Sequence, residues 1–222
     1  MSKFIFKNAV PGRRVYEFQC TLQSRQCIAL TSKGQQCRRK LSKGLPVCWF
    51  HLKQVFHIII KPSTIAAAGT GMFACDPEGR RHQVVFRKGD VICPYVGTVL
   101  TKTALNRRYG RPADITAPYS TGGLRNTVID AACVRGAAAY ANDARNERNN
   151  AILATMQLNR AQQRELNEGI APGHHFPAKI VALVADKDIQ QDEEIFATYG
   201  PEYWEDGTST NRTTGAKPRR RC

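Results

Sequence analysis

Four residues near the start of the chain have the types and spacing to hold a metal: Cys27, Cys37, Cys48 and His51. Nine residues separate the first two cysteines, ten separate Cys37 from Cys48, and two lie between Cys48 and His51. A Cys-x-x-His pair offers two ligands from one turn of chain. The earlier pair flanks Gly34, a residue suited to the tight bend that would bring Cys27 and Cys37 together. Three thiolates and one imidazole complete a tetrahedral zinc set with no open position, so the site is expected to be structural rather than catalytic. The surrounding segment, residues 26–54, is too short to bury a core of its own, and metal binding is expected to supply most of its folding energy. Cys20 is a substitute ligand of poorer spacing.

A second group of chemically able residues is spread along the rest of the chain. Residues 136–151, GAAAYANDARNERNNA, begin with tiny side chains and turn polar at Asn142 and Asp143. Apolar residues here recur neither every third or fourth position, as on a helix face, nor alternately, as on a strand. Small residues suit a backbone passing close to other backbone, and a buried Asn-Asp pair there needs polar partners. An Ala-rich helical turn running into a polar loop fits the same residues. Around this stretch stand Ala68-Gly69-Thr70-Gly71-Met72-Phe73-Ala74, Gly89-Asp90-Val91-Ile92-Cys93-Pro94-Tyr95-Val96-Gly97, Val128-Ile129-Asp130-Ala131, and a block from Lys179 through Asp192-Glu193-Glu194 to Tyr199-Gly200.

In that order, the blocks resemble the signature segments of SET-domain lysine methyltransferases, over residues 58–204. The resemblance implies a mainly β fold with short helices, in which the block ending in asparagine is threaded under a C-terminal loop carrying a tyrosine. It implies protein-lysine N-methyltransfer from S-adenosylmethionine. Gly69, Thr70 and Gly71 are then expected near the cofactor, with Tyr119, Asn142 and Asp143 contacting it and Trp204 or Tyr203 packing on its adenine. Tyr199 is the expected catalytic tyrosine and Tyr95 a wall of the lysine channel. Residues 27–51, with Ala29, Thr31, Gly34 and Arg38, separately resemble small C-x-A-x-T-x-x-G-x-x-C…C-x-x-H zinc modules appended to viral and protist proteins.

Methyl transfer to lysine needs a neutral amine held in line with the donor methyl. Most of the acceleration comes from that alignment, and neither a metal nor a covalent intermediate is required. A narrow apolar channel and a nearby positive charge both lower the pKa of the amine. The chain departs from the family pattern in three places. Asp143 stands where a histidine is usual, Ala139 stands where an arginine is usual, and the cysteine cluster after the domain is absent. Asp143 is expected to weaken cofactor binding, although its backbone could still serve. A catalytically weak SET-fold binding protein, with its zinc module contacting nucleic acid or chromatin, is the competing implication.

The positive charge lies mainly at the ends. Of the formal +15, residues 1–60 carry +10, residues 61–204 carry +2 and residues 205–222 carry +3. That distribution favours acidic partners reached through the termini, or a solvated basic surface with none. The substrate class implied by the family is a histone or other basic protein tail. No apolar run approaches the ~20 residues of a membrane span, the N-terminus lacks a secretory apolar core, and the eight cysteines read as thiols and ligands rather than disulfides. An intracellular protein is expected, and residues 217–221 fit a nuclear-import or polyanion-binding run. The organisation expected is a basic leader (1–25), the zinc module (26–54), the methyltransferase domain (58–204) and a disordered basic tail (205–222). Short β-branched runs predict strands at 84–86, 91–92, 98–100, 127–129 and 179–184. Helices are predicted at 102–109 and, from a stripe of Leu153, Met156, Leu158 and Ala161, at 151–166. His174 and His175 read as a solvent-exposed loop pair rather than metal ligands.

Overall fold

The computed structural model describes residues 25–41, 45–66, 68–80, 83–109, 117, 119–145 and 147–199, together with the backbone of two N-terminal strands. Those strands, β1 (Lys3–Lys7) and β2 (Glu17–Thr21), pair antiparallel. Then follow α1 (Trp49–Phe56), β3 (Ile58–Pro62), β4 (Thr70–Ala74), β5 (Val84–Phe86), β6 (Val91–Pro94), β7 (Thr98–Thr101), α2 (Lys102–Tyr109), β8 (Ser120–Gly122) and β9 (Thr127–Asp130). A 3-10 turn at Ala137–Tyr140 leads to β10 (Ala151–Gln157), α3 (Arg160–Asn167), β11 (Lys179–Ala185), β12 (Ile189–Gln190), β13 (Glu194–Ile195) and β14 (Ala197–Thr198). Trp204, Tyr203, the 205–222 tail and most of the leader lie outside the described residues, as does the side chain of Cys20.

Among the described residues the fold is mainly β with three short helices, arranged as small sheets. Their orders are β14-β10-β11-β6, β13-β4-β3, β7-β9-β8 and β12-β5, beside the β1-β2 pair. Strand β11 is the centre of the largest sheet. It is an unbroken apolar run buried from Ile180 to Ala185, as a strand covered on both faces should be. Among the described residues no helix is long and apolar enough to cross a membrane.

One predicted helix is corrected. Residues 151–157 form β10, not the first half of a helix, and only Arg160–Asn167 is helical. The apolar stripe fits either period over so short a run. The choice goes to the strand because all seven residues pair with β11, from Ala151 opposite Ala185 to Gln157 opposite Lys179. Helix α3 starts afresh at a capping box, with Asn159 accepting from the Gln162 amide and the Gln162 side chain accepting from the Asn159 amide.

The predicted threading is present. The Asn142 carbonyl accepts from the Ala197 amide (2.8 Å), and Asn142 forms a parallel bridge with Phe196. On the other side β14 lies parallel to β10, and the Phe196 carbonyl accepts from the amides of Asn150 and Ala151 (3.1 and 3.0 Å). Residues 194–199 are thus clasped by the loop between Asn142 and β10. The small residues of 136–141 let this happen: Ala137 to Ala141 are all buried, and the Gly136 amide donates to the Val96 carbonyl (3.1 Å).

The N-terminal module packs onto the same core. Ala29 bridges Ile170, the Leu30 amide donates to Gly169, and the Ala171 amide donates to Ile28. Helix α1 continues to Phe56, whose ring meets Phe176 edge-on at 6.5 Å. His57 takes a left-handed conformation (φ 51°) that turns the chain straight into β3.

Candidate active site and metal centre

The candidate ligand atoms of Cys27, Cys37, Cys48 and His51 all lie within 4.8 Å of one another, and all four residues are buried. His51 Nδ1 is 3.4 Å from Cys27 Sγ and 3.3 Å from Cys48 Sγ. Bonds of about 2.3 Å to sulfur and about 2.0 Å to nitrogen at tetrahedral angles put S···N edges near 3.5 Å, so the donor set fits zinc. Gly34 makes the predicted bend at φ +71°, its amide donating to Thr31. Burial pushes the Cys27 thiol up to about 11. Burial also raises Cys48, but hydrogen bonds led by the His51 amide outweigh it and bring that thiol below its ordinary value. Burial, helped by Arg39, lowers the pKa of His51 and keeps it the neutral imidazole that a metal needs.

The second site is a cleft. Its walls come from Tyr95 just past β6, Tyr119 just before β8 with Ser120 and Thr121 on it, Ala138, Ala139 and Ala141 of the small-residue block, Leu153 of β10, Ala197 of β14 and Tyr199 just past it. Three predicted tyrosines from distant parts of the sequence therefore meet. The Tyr199 hydroxyl donates to the Ala141 carbonyl (2.7 Å), and the Tyr95 hydroxyl donates to the Tyr119 carbonyl (2.8 Å). A phenol has one proton, so what each oxygen retains is acceptor capacity.

Gly69, Thr70, Gly71 and Asn142 form an adjoining cluster. Asn142 Nδ2 donates to the Thr70 carbonyl (3.3 Å) and to Glu194 Oε1 (3.4 Å). The buried Glu194 carboxylate also accepts from the Ser63 hydroxyl (2.6 Å), the Thr64 amide (2.7 Å) and the Thr64 hydroxyl (2.6 Å). A Cβ at Gly71 would lie 2.0 Å from Glu194 Oε1. Glycine at 71 is therefore demanded by the chain's own carboxylate, whereas Gly69 faces open space.

Asp143 holds the threaded segment. Its carboxylate accepts from the amides of Tyr199 (3.0 Å) and Arg145 (2.7 Å) and from Asn149 Nδ2 (2.8 Å). Deeper in, Asp130 is fully buried and accepts from Arg108 (2.7 Å), the Tyr109 hydroxyl and the Ala132 amide. Burial and the Asp130 charge push the Tyr109 phenol well up, so it stays a donor. His174 and His175 are exposed as expected, with His175 Nε2 3.0 Å from the Ile170 carbonyl.

Sequence reasoning missed three contributors. Asn150, buried at the end of the polar run, accepts from the Phe196 amide (2.9 Å) and donates to the Glu194 carbonyl (3.0 Å) and Glu193 (3.1 Å). Glu194 sits in the acidic block before Tyr199. Arg135 is buried with its guanidinium 3.9 Å from the centre of the Tyr119 ring, donating to the carbonyls of Ala131 and Ala132. Asn150 and Glu194 each close a polar run directly before an apolar segment, Ala151-Ile152 and Ile195-Phe196, a junction from which they could have been found; no local signal marks Arg135.

No family model matches the sequence, and no curated protein matches it. Among solved structures the chain is similar to an apo Polycomb repressive complex 2 in an autoinhibited state (23% identity, TM-score 0.45). It is also similar to the same complex in an autoinhibited conformation bound to S-adenosylmethionine (22%, 0.43), and to a humanized mutant of the Chaetomium thermophilum complex bound to an inhibitor (21%, 0.43). Each match covers 64% of this chain and 15% of the other.

Proposed function

We propose that the protein is an S-adenosylmethionine-dependent protein-lysine N-methyltransferase. The observation that carries this reading is the cleft itself. Two phenols, Tyr199 and Tyr95, give their protons to buried carbonyls and so offer acceptors to whatever enters. A lysine amine brings N–H donors, and the small or apolar walls at Ala138, Ala139, Ala141, Leu153 and Ala197 suit its aliphatic stem. The guanidinium of Arg135 against Tyr119 adds positive charge beside the cleft, which disfavours the protonated amine and favours the nucleophilic neutral form.

Gly69, Thr70, Gly71, Asn142 and Tyr119 are the residues that would hold the cofactor, with Asp143 and Trp204 as further candidates. The chain around Gly69 is open, while Asn142 and Glu194 anchor the loop from behind. The bound cofactor supplies an electrophilic methyl on sulfur. Tyr199 accepts a hydrogen bond from the amine and fixes its direction, and Ala141 and Asp143 hold Tyr199 in place. The engagement of the Asp143 carboxylate within the chain makes it a positioning group, so its departure from the family's histidine is compatible with turnover. Zinc, held by Cys27, Cys37, Cys48 and His51, is structural. A histone tail is the substrate class that the family resemblance implies. The test is incubation of the purified protein with radiolabelled S-adenosylmethionine and a mixture of histones and cell lysate. Labelled lysine is expected, and absence of label in every fraction, with Tyr199→Phe as the matched control, would refute the reading.

A further inference from the structure

The zinc module carries two aromatic rings that the cleft does not use. Trp49 and Phe50 open helix α1 immediately after the ligand Cys48, and they are 72% and 45% exposed. They are two of the five large hydrophobic side chains exposed among the described residues, and they are adjacent. Their rings meet edge to face, centroids 6.1 Å apart, and most of the Trp49 side chain stays open to solvent. The Arg39 guanidinium stands over the Trp49 ring at 5.7 Å. Flanking Cys48 and His51 belong to the buried candidate metal cluster, so the ring pair stands directly on it.

The charge of the segment that carries it has one sign. Residues 18–75 contain eight Lys and Arg and not one Asp or Glu. Arg25, Lys33, Arg38, Arg39 and Lys40 are exposed. An exposed indole beside a guanidinium, on a segment with no acidic residue, matches what unpaired nucleotides need. A base stacks on the ring, and the cations track the phosphates. An acidic peptide would use the cations but has no planar group for the indole. A DNA duplex would offer phosphates but keeps its base faces stacked away.

We propose that the module is a single-stranded nucleic-acid binding surface, with Trp49 as the stacking platform and Arg39 as its cationic partner. The surface shares no residue with the cleft and does not depend on the methyltransferase reading. The experiment uses the full-length, zinc-loaded protein and a fluorescein-labelled oligodeoxythymidylate of about 12 nucleotides. Anisotropy is followed at increasing salt, with a poly-glutamate peptide and a duplex of the same length as competitors. Binding that weakens with salt and quenches tryptophan fluorescence is expected. Trp49→Ala should weaken it about tenfold and abolish the quench, and Arg39→Gln should weaken it to a smaller degree, both with zinc content unchanged. Absence of oligonucleotide binding overturns the proposal. So does binding indifferent to Trp49, which would assign it to the basic ends. Poly-glutamate that competes equally and depends equally on Trp49 would make an acidic protein the occupant and also overturn it.

Discussion

Replacing Tyr199 with phenylalanine removes one hydroxyl and one hydrogen bond, and the structure sets the size of both effects. The bond to the Ala141 carbonyl is 2.7 Å long, and Ala141 is 1% exposed. Losing it leaves a buried acceptor without that donor, at a cost of about 1–2 kcal/mol. For a chain of this size that is a fall of only about 2–8 °C in Tm, well inside a typical stability of about 5–15 kcal/mol. The ring keeps its place, because the Tyr199 amide remains bound to Asp143. The lost acceptor for the amine acts only in the transition state's alignment, so kcat should fall about 100-fold, equivalent to about 2.7 kcal/mol. Single-turnover kinetics with saturating S-adenosylmethionine, paired with thermal unfolding of the same preparation, separates the two. A variant with the expected small loss of Tm and an unchanged rate would remove Tyr199 from the chemistry.

Asn150→Ala strands the buried Phe196 amide and Glu194 carbonyl; it should cost about 3 kcal/mol in chemical denaturation, and a loss below about 1 kcal/mol would show that the clasp does not depend on this side chain. Asn142→Ala releases Thr70 and Glu194 together and should weaken S-adenosylmethionine binding by calorimetry, wild-type affinity being the contrary result. Cys37→Ser should take the zinc content from about one per chain to near zero by elemental analysis. Because no described residue of the module lines the cleft, methyl transfer should survive that change. The cleft has Ala197, a methyl, where a larger side chain would crowd an already methylated amine. Mass spectrometry at long times should therefore find di- or trimethyl product from the wild type and mainly monomethyl product from Ala197→Tyr; a wild type that stops at one methyl would mean that a neighbouring tyrosine closes the space.

The sequence by itself determined what depends on local spacing. Cys48 and His51 lie on one turn and Cys27 and Cys37 flank a glycine bend, so the donor set could be read before any fold was known. The β-branched runs that became β5, β6, β7, β9 and β11 were bounded by their own turn residues, and helix α2 carries its pattern within eight residues. The small-residue run before Asn142 announced close backbone passage, and at Gly136 a Cβ would lie only 2.9 Å from the Val96 Cβ. Tertiary structure decided the rest. Residues 151–157 fit a helix or a strand equally well alone, and seven cross-strand pairs with β11 chose the strand. Tyr95, Tyr119 and Tyr199 share one cleft only because the threaded strand returns beside β10. Glu194 and Asn150 act through partners far away in the chain: Ser63 and Glu194 are 131 positions apart. No local pattern encodes such a meeting. A buried polar group is tolerated only where the completed fold supplies its partners, and those partners exist only once the chain has closed.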